Sequence, residues 1–139
     1  MFSKILIAND GSEGAARALA AAIKLAKKHE AALHMILVEE MPRFPASIDE
    51  VVEERAEANH VCEAAVNRAK ALALAEGQKL TPHVVIGHPV SAISEFVANG
   101  RFDLLVVGYM GHSELYNRLI GSTTDRLVEH APCAVLVVK

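Results

Sequence analysis

The chain has 139 residues, a net charge of −3, 52% hydrophobic residues and only 4% aromatic ones, with no tryptophan. That length suits one compact domain over residues 1–139, with apolar residues enough for a real core. The scarce aromatics argue against a base-stacking platform for single strands, and the lack of a long basic run argues against nucleic acid or an anionic membrane as partner.

The chain opens MFSKILIAND, where the apolar run Ile5 to Ala8 stops at Asn9 and Asp10. That run is too short for a secretory signal, and no stretch of about 18 apolar residues occurs that would span a membrane. Cys62 and Cys133 make neither a metal-ligand spacing nor a disulfide framework, so a reducing, cytoplasmic setting is expected.

Lys4 to Asn9 (KILIAN) reads as a buried strand. Ser12 follows as a helix N-cap, and Ala15, Ala18, Leu19, Ala22, Ile23 and Ala26 then recur at helical spacing. The helix should end near Lys27-Lys28-His29, where positive charge suits its carboxyl end. Leu33 to Val38 (LHMILV) is the second strand, and Glu39 to Ser47, with Pro42 and Pro45, reads as a loop. A long helix is expected from Ile48 to Ala75, with a buried stripe of Ala58, Cys62, Ala65, Ala69 and Leu72. His83 to Ile86 is the third strand, and Pro89 opens a helix to about Asn99. Asp103 to Val107 is the fourth strand, Ser122 to His130 the fourth helix and Ala134 to Val138 the fifth strand.

Strict alternation of strands this apolar with helices implies an α/β, doubly wound single domain around a five-stranded parallel sheet. Right-handed crossovers favour the order 3-2-1-4-5. In that order the winding reverses between strands 1 and 4, and ligands of such sheets bind at that point, beyond the carboxyl ends of the strands. Asn9-Asp10 ends the first strand and Gly108 ends the fourth, so both fall there.

The stretch from Gly108 to Asp125, GYMGHSELYNRLIGSTTD, has the composition of a phosphate cradle. Gly108 and Gly111 would let a loop turn tightly and bring N–H groups close to an anion. Gly121-Ser122-Thr123 opens a helix, whose first N–H groups and dipole favour phosphate. Asp10 repels phosphate and better accepts hydrogen bonds from a ribose or a base. Against this, Asp10-Gly11-Ser12 can be only a turn and a helix cap, and Gly108 can merely end a strand.

The spacing G-x2-G-x9-G-S over residues 108–122, with NDGS near the start, ILVEE at the second strand and APCAVLVVK at the end, resembles the universal stress protein family. The resemblance spans the whole chain. It implies a Rossmann-like fold that binds ATP in the subgroup retaining the glycine motif, as this sequence does. Carried over by position, Asp10 contacts the nucleoside and the Val38 backbone meets the adenine. Gly108, Gly111, Gly121, Ser122 and Thr123 contact phosphate and ribose, and Ala8 completes the cofactor-binding set. The resemblance also implies a homodimer built through Ala134 to Val138.

The nucleotide is open between ATP and AMP, ADP or a cyclic nucleotide. Mg²⁺ would come mainly with the phosphates, since no protein metal site is read from the sequence. There is no GxxxxGK[ST] lysine and no legible catalytic arrangement, so catalytic residues are set at none. A nucleotide-binding sensor or stress-response module, working through protein partners, is therefore favoured over a slow ATP-hydrolysing or group-transfer enzyme. Arg118 reaches a phosphate or is a solvated surface side chain, and His112 is the only histidine inside the motif. The Glu39 to Ser47 loop is expected to border the adenine side or simply to cross the surface.

Overall fold

A computed structural model describes residues 1–40, 48–109 and 121–139. Its elements are β1 (Lys4–Ala8), α1 (Glu13–His29), β2 (Ala32–Glu39), α2 (Ile48–Ala75), β3 (Leu80–Ile86), α3 (Pro89–Gly100), β4 (Leu104–Gly108), α4 (Ser122–His130) and β5 (Ala134–Val138). The five strands form one parallel sheet in the order β3-β2-β1-β4-β5. This is the expected doubly wound α/β architecture. β1 lies at its centre, with Ile5 opposite Leu33 on one side and Leu104 on the other.

The two-residue period of the strands divides the core into two layers. Ile5 and Ile7 of β1, Leu33 and Met35 of β2, and Leu104 and Val106 of β4 pack with Ala18, Leu19, Ala22, Ile23 and Ala26 of α1. Leu6, Ile36, Leu105 and Val107 point the other way and pack with Ile93 and Val97 of α3 and Leu127 of α4. Near-continuous apolar strands are what a sheet covered on both faces requires.

Two expectations are corrected. β3 starts at Leu80, three residues before His83, and so takes in Pro82. Among the described residues β3 pairs only with β2, and an edge strand tolerates a residue without an N–H. Leu72 is 51% exposed and not part of the α2 stripe, which runs through Cys62, Ala65, Ala69 and Ala73. The i+4 step from Ala69 leads to Ala73, and small alanines let the helix lie close to the sheet. Ala58 lies in α2, but its side chain falls outside the described set.

The thiols behave as small core groups. Burial, with the Glu39 carboxylate beside it, pushes Cys62 up to about 12, and burial also raises Cys133. Both cysteines are free.

A second polar feature lies nearer the amino ends of the strands, on the α3 face. His34 Nδ1 and His83 Nε2 are 2.9 Å apart, with the rings nearly parallel. Phe102 stands edge-on to His34, and Phe96 lies tilted against His83. Lys4 Nζ sits 4.6 Å from the Phe102 ring centre and donates to the Gly100 carbonyl at 2.6 Å. Burial holds both histidines below the ordinary value, with His83 and then Lys4 adding to it at His34, and Lys4 adding to it at His83. The unfolded chain therefore binds more protons as pH falls below about 6.5, and the folded chain loses stability from there down to its own lowered values. Thermal melts at pH 7.5 and 5.5 should show a larger acid drop for the parent than for the double variant His34→Phe, His83→Leu. Equal drops would remove the pair as the cause.

Candidate functional site

A cavity of about 440 Å³ opens at the carboxyl ends of β1 and β4, where the winding reverses. β1 and the turn after it supply Ala8, Asn9, Asp10 and Ser12. β2 and the residue after it supply Ile36, Leu37, Val38 and Glu40. Val107 and Gly108 come from β4, and Pro89 and Ile93 from α3. Gly121, Ser122, Thr123, Thr124 and Leu127 come from α4 and its cap. Segments more than a hundred residues apart thus meet at one opening, apolar toward the sheet and α3 and polar toward the two helix starts.

The turn between β1 and α1 is held by its own side chains. Asn9 Oδ1 accepts the Gly11 N–H at 2.9 Å, and the Asn9 N–H donates to the Ile36 carbonyl at 3.0 Å. Asp10 Oδ1 accepts the Ser12 N–H at 3.0 Å and the Ser12 hydroxyl. Ser12 Oγ in turn accepts the Ala15 N–H at 3.2 Å, which caps α1. Gly11 has φ +81, which the tight turn requires and which glycine takes without strain. The turn-and-cap reading of Asp10-Gly11-Ser12 therefore holds, and the same turn places Asp10 in the cavity wall.

Gly108 has a packing reason of its own. A Cβ there would lie 2.8 Å from the backbone carbon and oxygen of Gly14 and 3.1 Å from the Ala15 nitrogen. The first turn of α1 rests directly on the end of β4, which only a residue without a side chain permits. The sequence offered a loop-and-phosphate reason for this glycine, but a helix 94 positions earlier in the chain already demands it.

Gly121 is the N-cap of α4, with extended backbone at φ −65 and ψ 147. It offers no side-chain oxygen to the helix. Its own N–H donates to the Tyr109 carbonyl at 2.9 Å, and Tyr109 N–H donates to the Val138 carbonyl at 2.9 Å. Ser122 and Thr123, the first two residues of the helix, line the cavity beside Gly121. N–H groups in a first turn have no partner within their own helix. Thr124 turns inward and donates from Oγ1 to the Gly108 carbonyl at 2.6 Å.

Ala8, Asp10, Val38, Gly108, Gly121, Ser122 and Thr123 thus line one cavity. Gly111 lies outside the described residues, as do His112, Tyr116, Arg118 and residues 41–47. Sequence reasoning missed Pro89, Ile93 and Glu40. The first two had a usable signal, because α3 starts at the carboxyl end of β3, on the site's side of the sheet.

The universal stress protein family model matches residues 1–139. The chain belongs to the universal stress protein family. A universal stress protein of Methanocaldococcus jannaschii is 32% identical over 147 residues, covering 100% of this chain and 83% of that protein. The solved universal stress protein UspA from Lactobacillus plantarum superposes with a TM-score of 0.87 at 30% identity, covering 99% of this chain and 98% of that one. A universal stress protein solved in complex with cAMP gives a TM-score of 0.79 at 26% identity, covering 99% of this chain and 97% of that one. Among the described residues of this universal stress protein, no helix is long and apolar enough to cross a membrane.

Proposed function

We propose that residues 1–139 form a nucleotide-binding domain that takes an adenine nucleotide, ATP in the first place, at the carboxyl ends of β1 and β4. The observation that carries this reading is the cavity itself. It has an apolar wall from Ile36, Val38, Val107 and Ile93, a carboxylate at Asp10, and a helix start at Ser122-Thr123 with no acidic side chain before Asp125. An apolar slot suits a base, a carboxylate suits hydroxyls, and a helix start suits phosphate. The family relative solved with cAMP supports an adenine nucleotide in this fold.

In this reading the Val38 backbone and Ala8 border the adenine, and Asp10 accepts from the ribose. Gly108, Gly111 and Gly121 allow close approach, and Ser122 and Thr123 donate to the phosphates. Mg²⁺ would arrive on the phosphates, because no cluster of three or more His, Cys, Asp or Glu side chains is found among the described residues. The sequence holds no GxxxxGK[ST] lysine, which favours a binding and sensing role over phosphoryl transfer, and the two free cysteines suit a reducing, cytoplasmic setting.

The test is mass spectrometry of whatever co-purifies with the protein, followed by calorimetric titration with ATP, AMP, ADP and cAMP and a turnover assay. Micromolar binding of one or more of these without multiple turnovers is expected. No binding of any of them sinks the reading, and fast multiple turnover replaces it with an enzyme. We further propose a homodimer through β5, whose outer edge is unpaired among the described residues and carries Leu136 at 36% exposure. A monomer by sedimentation at micromolar concentration would overturn that.

A further inference from the structure

We infer that Thr124 is a positioning residue for the phosphate end of the cavity, fixing the start of α4 against the end of β4. The inference rests on the nucleotide reading above and extends it to a residue that would not touch the phosphates itself. Thr124 is 6% exposed, and it is the one polar residue buried as a whole among the described residues. Thr124 stands in the first turn of α4, where its own helix has no carbonyl one turn earlier to take the hydroxyl, so the bond must go elsewhere. Here Oγ1 donates instead to the Gly108 carbonyl on β4, at 2.6 Å.

Among the described residues, that bond is one of two hydrogen bonds that tie the α4 start to the end of β4 and the residue after it. The other is the Gly121 N–H to the Tyr109 carbonyl, at 2.9 Å. Together they tie residues on both sides of the proposed phosphate donors to consecutive carbonyls, Gly108 and Tyr109. Ser122 and Thr123 sit between the two ties and are oriented by them. β4 is a steady reference for them, because it is paired with β1 on one side and β5 on the other, and the first turn of α1 leaves no room for a Cβ at Gly108. The Thr124 hydroxyl therefore references the first turn of α4 to a fixed point of the sheet. A site whose donors are held in this way gains affinity by lowering the ordering cost of binding.

The experiment compares Thr124→Val and Thr124→Ser with the parent, using ATP and adenosine as probes. Valine keeps the shape and removes the hydroxyl, and serine keeps the hydroxyl. ATP affinity should fall about tenfold in Thr124→Val, while adenosine affinity stays within about twofold. Thr124→Ser should restore the ATP affinity even though it loses the buried methyl and some thermal stability. A purely structural role would lower both ligands together, or would follow the melting temperature, with serine worse than the parent. Should Thr124→Val fail to fold, Thr124→Cys, close in size and only a weak donor, takes its place with the same expected split. An unchanged ratio of ATP to adenosine affinity in the folded hydroxyl-free variant overturns the inference while leaving the nucleotide reading in place. A parent protein that binds neither probe removes both.

Discussion

Gly108→Ala is expected to cost about 3 kcal/mol of folding stability, at the upper end of what overpacking a well-filled core costs. The added Cβ would sit 2.8 Å from two backbone atoms of Gly14, inside the distance that real Cβ atoms keep. A side chain in the way could rotate, but the backbone of α1 can only move as a body. α1 is fixed at its start by the Ser12 cap and along its length by Ala15, Ala18, Leu19, Ala22 and Ile23, all buried. Its displacement would disturb the larger of the two core layers. Urea denaturation of parent and variant measures the loss directly. An unchanged midpoint would mean that α1 slides freely over β4, and the packing account of this glycine would fail.

The fate of Gly108 illustrates what was legible in the sequence and what was not. The strand order could be read because the strands are short apolar runs alternating with helices, and because crossover handedness leaves few ways to arrange them. The position of the cavity followed from the order alone, and seven of the eight residues chosen for it line it, with Gly111 outside the described residues. What local pattern could not give is which residues touch across the fold. Gly108 meets Gly14 through space, and nothing near either one in the chain marks the contact. Thr124 looks like one more hydroxyl in Gly-Ser-Thr-Thr, and only the placement of α4 over β4 shows that it faces inward while Ser122 and Thr123 line the opening. Leu72 follows from Ala69 by an i+3 step, but the helix buries the i+4 position, Ala73, instead. The register of an edge strand was also hard to read, since Pro82 argues against a strand except where one side has no partner.

Gly121→Val and Asp10→Ala should separate a phosphate cradle from a structural glycine by a crossed pattern. Gly121 has φ −65 and ψ 147, a conformation open to any L residue, so Gly121→Val should fold. Its stability cost should be about 1 kcal/mol, since valine is a poorer cap than glycine. Gly121 lines the cavity beside Ser122 and Thr123, so in the proposed reading a valine there takes up room that the phosphates need. ATP affinity should therefore fall about tenfold or more, at least ~1.4 kcal/mol, with adenosine spared because it has no phosphate to exclude. Asp10→Ala should behave in the opposite sense. Its proposed contact is to the nucleoside, so adenosine and ATP should weaken together. It should also destabilise the chain by about 1 kcal/mol, because Asp10 Oδ1 holds both the N–H and the hydroxyl of Ser12, the cap of α1. Calorimetric titration of the two ligands into both folded variants, with a urea curve for each, measures every part of the pattern. If both variants fold and bind both ligands as the parent does, Gly121 serves only to start α4, Asp10 only to fix the turn before α1, and the cavity between them holds something other than an adenine nucleotide.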